Sequence, residues 1–341
     1  MKKISLWMAV LSMSWSTAYG QRITLVPDKT AHKVEVRFSG MLFTSYLYPD
    51  SFTKPVLYPL YNSNGTCLTR GFPLAPNAGE RIDHPHHSGI WFNYGNVNGL
   101  DFWNSSYSDL RKAPYGFIRH TGITCAESGD NKAVLTVTAD WNDASGKTLL
   151  KAETEYVFAG EGHIRTVEHT VRLTAQDAPV VFADSKEGLF GIRLDKSFEE
   201  PSDEPVIRLG YDGKPMATPV ADGDGADGKY RNAQGQEGEA NTWGKRSEWM
   251  MVSANKEGDE STLAILDHHQ NIGFPAHWHA RGYGLFAANN LGSNKYSLSD
   301  PESSFTLRPG ESVTFKHKIV IKAGSFATDE DIKEEYNIFN R

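Results

Sequence analysis

The sequence predicts an all-β protein, a large antiparallel β-sandwich with a C-terminal helix. Three observations predict it. Apolar and polar residues alternate with the period of a half-buried strand, clusters of Gly, Asn and Asp interrupt that alternation at short intervals, and a helical period is confined to the end of the chain. With 341 residues, including 8 Trp, 14 Tyr and 17 Phe, the chain can bury a substantial core and is far too aromatic for a disordered segment. Neither an internal repeat nor a sharp shift in composition divides it, so residues 21–341 read as one domain.

In chain order, Lys2 and Lys3 precede an apolar stretch from Ile4 to Trp15, and small residues follow before Gly20. Residues 1–20 are therefore expected to be a signal peptide cleaved after Gly20, giving a periplasmic or secreted protein. The apolar stretch is too short to span a bilayer, which needs about 20 residues, and no later window is apolar enough. Lys33 to Phe38, Ala133 to Ala139 and Glu153 to Phe158 alternate cleanly and predict strands. Ser128 to Asn131 and Asn142 to Gly146 read as hairpin connections. Residues 211–245 are rich in Gly, Asp and Asn, have few core-forming side chains before Trp243, and read as a long surface loop. Phe305 to Ser312, with a Pro309-Gly310 turn, runs into Val313 to Ile321 and reads as the closing hairpin of the sandwich. Thr328 and Asp331 have the spacing of a capping box, and Ile332, Tyr336 and Phe339 share a stripe, so a helix is expected over residues 328–340.

The 35 Lys and Arg against 42 Asp and Glu leave a formal charge of -7. That balance gives no general attraction for phosphate backbones, so nucleic acid is not an expected partner. Cys67 and Cys125 are the two cysteines. In an oxidising compartment they could pair, and two separate thiols fit equally well.

Chemistry-bearing residues concentrate in two places. Asp83, His84, Pro85, His86 and His87 put three imidazoles beside a carboxylate on a segment that Pro85 keeps out of a helix. In extended chain His84 and His86 point one way and His87 the other. Farther on, period-two geometry places His277, His279 and Arg281 on one face of a strand, with Ala276, Trp278 and Ala280 on the other. Such a face suits a polyhydroxy or anionic ligand, unless it is the solvated outer face of a sheet. Asp267, His268 and His269 could bring further groups to the same rim, and Glu187, between two strand-like stretches, is the candidate partner carboxylate. Trp91, Phe92, Tyr94 and Trp103 accompany the first group and could stack on a pyranose or fill the core.

No cofactor is expected, although a divalent metal could bind if His84, His86, His277 and His279 converged. The run from Asp222 to Gly228 has the look of half a calcium loop, but Ala226 and Ala233 stand where ligands are needed.

Lys54 to Leu60, Thr69 to Pro73, Asp83 to Trp91 and His277 to Gly292 together resemble the bacterial PmoA-like family. Its customary methane-oxygenase label does not fit a chain without membrane spans. The resemblance implies a galactose-mutarotase-like supersandwich in which imidazoles and a carboxylate on the concave sheet do proton chemistry on sugars. The resulting expectation is an exported carbohydrate-active enzyme acting on a saccharide. His86 or His87 would be the acid/base, His277 and His279 the second imidazole pair, and Glu187 the carboxylate. Arg281, His84, Asp83, Trp91, Arg70 and Tyr283 would bind substrate. Glycoside hydrolysis leads, with epimerase or lyase chemistry close behind. The alternatives are a non-catalytic glycan-binding sandwich and a metal-dependent His-cluster enzyme.

Overall fold

The computed structural model describes residues 21–106, 114–221 and 225–341. The expected signal peptide, residues 1–20, lies outside them, as do Asp222 to Asp224 of the calcium-like run. Two large antiparallel sheets face each other. One has nine strands in the spatial order His277–Arg281, Leu285–Asn289, Gly188–Arg193, Ile90–Tyr94, Val56–Leu60, Met41–Leu47, Lys33–Phe38, Arg22–Asp28 and Gly129–Asp130. The other has eight, in the order Lys229–Asn232, Trp249–Lys256, Asp259–Asp267, Ser312–Ala323, Ile164–Ala175, Thr148–Glu161, Lys132–Asn142 and Phe117–Glu127.

Alternation in the strands builds the core between the sheets. Val36, Phe38, Leu57, Ile90, Ile192, Trp278 and Ala280 come from the nine-stranded sheet, and meet Leu135, Val137, Phe158, Val167, Ile265, Ile319 and Ile321 of the other. The protein is the all-β sandwich that the alternation predicts, with its C-terminal helix at Asp329–Phe339. Thr328 and Asp331 exchange both bonds of the capping box, and Ile332, Tyr336 and Phe339 pack on Trp249, Leu266 and Val320 of the eight-stranded sheet. Among the described residues no helix is long and apolar enough to cross a membrane.

Two local expectations need correction. Ser304–Leu307 pairs with Val180–Ala183, whereas Ser312–Ala323 pairs with Ile164–Ala175 and Asp259–Asp267. The Pro309-Gly310 turn thus changes sheets instead of closing a hairpin. Residues 211–245 are also more than a loop, since Lys229–Asn232 forms the edge strand of the eight-stranded sheet and Glu239–Thr242 a short helix. Tyr230 and Asn232 are both buried there, an alternation that the surrounding Gly and Asp conceal.

Candidate functional site

The site is built on the face of the nine-stranded sheet turned away from the core. Register sets a row across four strands: His279 lies opposite Ala287, Ala287 opposite Gly191, and Gly191 opposite Trp91. Directly opposed residues share a face, so His279 and Trp91 stand at the ends of the row with two small residues between them. The gap takes the Trp103 indole. A Cβ on Gly191 would lie 3.0 Å from Trp91 and 3.2 Å from Trp103, so glycine there is what lets both rings settle on the strand. Trp103 is parallel to the His279 ring at 6.4 Å and edge-on to His87 at 5.8 Å. Through this indole the two histidine groups of the sequence meet.

The segment Asp83 to His87 arches over this floor, fastened by two buried arginines. Arg70 donates to the carbonyls of Asp83, His84 and His87 and, at 2.7 Å, to Asp83 Oδ1. Arg193, fully buried, donates to the same oxygen at 2.9 Å. His84 Nδ1 lies 3.1 Å from the other oxygen. Burial alone would raise the Asp83 pKa; the His84 hydrogen bond and the charges of Arg193 and Arg70 outweigh it and hold the carboxyl well below its usual range. Gly89 ends the arch at φ 58°, where a Cβ would meet the Leu57 carbonyl at 2.3 Å. The clamp fixes a column of parallel rings, Tyr283 on His84 at 5.1 Å, His84 on His87 at 5.0 Å and His87 on Trp91 at 5.3 Å.

Hydrogen bonding assigns the imidazole protons. Arg193 Nη1 can only donate, so His87 Nδ1, 3.4 Å away, accepts, and the proton of neutral His87 sits on Nε2, buried without a partner. His279 is the reverse. Its Nδ1 donates to the Lys186 carbonyl at 2.8 Å, leaving a lone pair on Nε2. Burial pushes His279 down to about 3 and His86 down to about 2, and carries His87 well below its usual value, so all three are neutral near pH 7.

Glu187 supplies a carboxyl. It follows the Val180–Ala183 strand, its Oε2 3.8 Å from His279 Nδ1 and its Oε1 3.8 Å from Lys186 Nζ. Burial raises its pKa, Lys186 pulls it down, and the charge of Asp101 pushes it up. Asp101 is held in place by the backbone and side-chain amides of Asn104. Arg281, a third exposed, forms an ion pair with Glu239, Nε to Oε1 2.6 Å, and lies over the Tyr283 ring, whose hydroxyl burial pushes up to about 12. His84, Asp101 and Arg281 all act electrostatically on Glu187, which gives the site a rim of His84, Asp101, Glu187, Arg281 and Tyr283 over a floor of His87, Trp91, Trp103 and His279.

Of the residues singled out in the sequence, His84, His86, His87, Glu187, His279, Arg281 and Tyr283 are brought together. Arg70 and Asp83 are fasteners: their polar atoms are spent on each other and on the arch. Trp91 is 2% exposed with His87 over its ring, so it supports the floor and has no face free for a sugar. His277 lies off to one side, stacked on Tyr296 at 4.9 Å with Nδ1 bonded to the Gly244 carbonyl. The strand face carrying His277 and His279 is buried, not solvated.

Asp267 does not reach the rim. It is fully buried and binds Asn271, Asn290 and the Ala276 amide. Among the described residues no group of three His, Cys, Asp or Glu side chains is arranged to hold a metal ion, and His84 and His86 do not converge with His277. Both cysteines are free.

Reading the sequence missed Lys54 and Arg193. Lys54 is 4% exposed, donates to the His86 carbonyl at 2.7 Å, and is pushed down to about 7 by burial. No pattern marks a lone lysine before a proline.

Solved structures similar in fold include a GH36 α-galactosidase of Geobacillus stearothermophilus in complex with stachyose, at 9% identity and TM-score 0.40, over 89% of this chain and 40% of that one. The α-galactosidase of Lactobacillus brevis is similar at 8% identity and TM-score 0.37, over 89% of this chain and 39% of that one. The chain thus spans about two fifths of the length of these enzymes. No curated protein matches it. Residues 33–337 match the family of unknown function DUF6807, and the chain belongs to that family.

Proposed function

We propose that the protein is an exported carbohydrate-active enzyme that performs acid-base chemistry on a saccharide, with glycoside hydrolysis as its reaction. One observation carries the reading: a mostly buried carboxyl, Glu187, lies 3.8 Å from a neutral imidazole, His279, with an open lone pair, and burial and the charge of a second carboxylate, Asp101, raise its pKa. Hydrolysis needs such a division of roles. One carboxyl protonates the glycosidic oxygen as its bond to the anomeric carbon breaks, and a second carboxylate deprotonates the water that attacks that carbon. Glu187 is the acid and Asp101 the base. His279 Nε2 accepts from a sugar hydroxyl, and Arg281 donates to a ring substituent. The resemblance to the PmoA-like family supports the same substrate class.

The test is release of reducing sugar from a panel of plant and bacterial polysaccharides by the full chain and by Glu187→Gln. Turnover abolished in the variant, with glycan binding retained, is the expected result. Undiminished turnover in Glu187→Gln would remove the acid from the mechanism. Binding without turnover in the wild type would leave a glycan-binding sandwich. A product carrying a new carbon-carbon double bond, seen by ultraviolet absorbance, would replace hydrolysis by elimination.

A further inference from the structure

Along the Pro85-to-Ser88 part of the arch lies a cleft of about 230 Å³ that the chemistry above does not use. Its walls include Lys54, His86, Ser88 and Ser105 on the polar side and Phe52 and Leu74 on the apolar side. We infer that this cleft is a subsite for a sugar ring bearing one acidic substituent, with Lys54 as the counter-ion.

The Lys54 ammonium has three donors, is 4% exposed and lies 5.4 Å from the centre of the Trp91 ring, yet among the described residues the His86 carbonyl is its one hydrogen-bond partner. A buried cation with donors to spare is costly unless something else enters to accept from it. Ser105, itself 1% exposed, lines the same space, and its Oγ has no partner among the described residues. Two buried polar groups left open in one cleft define what fits: an acceptor with a single negative charge, close enough to a hydroxyl to engage Ser105. The ring of Phe52 and the side chain of Leu74 offer an apolar wall for the C–H face of a pyranose. The volume is below that of clefts that take drug-sized ligands, so it suits one ring, not a chain. A single lysine without an arginine fork matches a monoanion, the carboxylate of a uronic acid or a sulfate monoester. The near-neutral amine agrees with this, because an arriving anion would hold the proton on Lys54.

This assignment names the substrate class of the proposed enzyme and rests on that reading for its catalytic meaning, but binding tests it separately. The full chain is titrated with glucuronate, galacturonate, a sulfated galactose, glucose and galactose, following the tryptophan fluorescence to which Trp91 contributes. Wild type is expected to bind at least one acidic sugar more tightly than its neutral counterpart by about tenfold or more.

Lys54→Gln should erase that preference, and Ser105→Ala should weaken acidic-sugar binding by up to about tenfold. Preference for uronates alone, or for the sulfated sugar alone, supports the subsite and identifies which acid it takes. Equal affinity for acidic and neutral sugars in the wild type overturns it, as does a preference that survives in Lys54→Gln. Glu187→Gln should keep the preference, so lost catalysis and lost acid recognition are told apart.

Discussion

Asp83 and Glu187 are carboxylates of one site, both near His84, and their surroundings shift their pKa values in opposite directions. Asp83 accepts from Arg70 and Arg193 and pairs with His84, with Arg81 at 3.8 Å as a further cation. Every lone pair that matters is used, and the group stays ionised. Glu187 has two cationic or imidazole neighbours, neither closer than 3.8 Å, and burial raises its pKa. The difference teaches which carboxyl builds and which reacts. A saturated carboxylate has no proton to give and no vacancy for a ligand, whereas an under-coordinated buried carboxyl is poised for proton transfer.

The sharpest way to break this comparison is to neutralise each group in turn. Glu187→Gln should lower kcat by about 10²–10⁴-fold, the usual worth of a general acid, with its urea unfolding midpoint unchanged. Asp83→Asn should do the converse and destabilise first, by about 3–5 kcal/mol in urea unfolding, because two buried guanidinium groups lose their shared counter-charge. The sign with pH follows. The folded-state pKa of Asp83 is depressed, so its stabilisation is complete above the ordinary Asp value of about 3.9 and is lost as pH falls below it. The wild type should therefore lose stability on acidification from about pH 4 downward, and Asp83→Asn should be flatter over that window. An Asp83→Asn protein that unfolds normally but cannot turn over would reverse the assignment. A smaller effect is expected at His279. His279→Ala removes one acceptor for a neutral hydroxyl and should cost up to about tenfold in kcat/KM.

The same contrast explains what was legible in the sequence. Period-two alternation marks any strand with one face in a core, so Lys33–Phe38 and the hairpin around Asn142 to Gly146 could be read without coordinates. The density of histidine also pointed to both halves of the site. Roles were harder, because a role depends on how many partners a group finds, and partners come from distant segments. Arg70 and Asp83 look like ligand-binding residues until the arch closes around them; the carbonyls that occupy Arg70 belong to residues more than ten positions away. Trp91 reads as a sugar platform until His87 is found stacked on it. Lys54 carries no local signature, and its burial is a product of the tertiary fold. The edge strand Lys229–Asn232 was hidden for a local reason, four residues of alternation inside a Gly-rich stretch.

The smallest expected effect separates the two states of Glu187 most directly. Lys186 is half exposed, and its Nζ lies 3.8 Å from Glu187 Oε1. Its charge pulls the Glu187 pKa down against the rise from burial. Lys186→Met removes that pull, so Glu187 should hold its proton to higher pH. If Glu187 works protonated, as a general acid, the alkaline limb of the kcat/KM profile moves to higher pH and the plateau rate is unchanged. If it works ionised, as a base, it is the acid limb that moves to higher pH, and activity near neutrality falls. A pair this exposed is weak and screened, so raising the salt should move the wild-type limb in the same direction as the substitution and leave Lys186→Met in place. The pH–rate profile of both proteins at low and high ionic strength therefore reads out which protonation state of Glu187 does the chemistry, without disturbing the carboxyl itself.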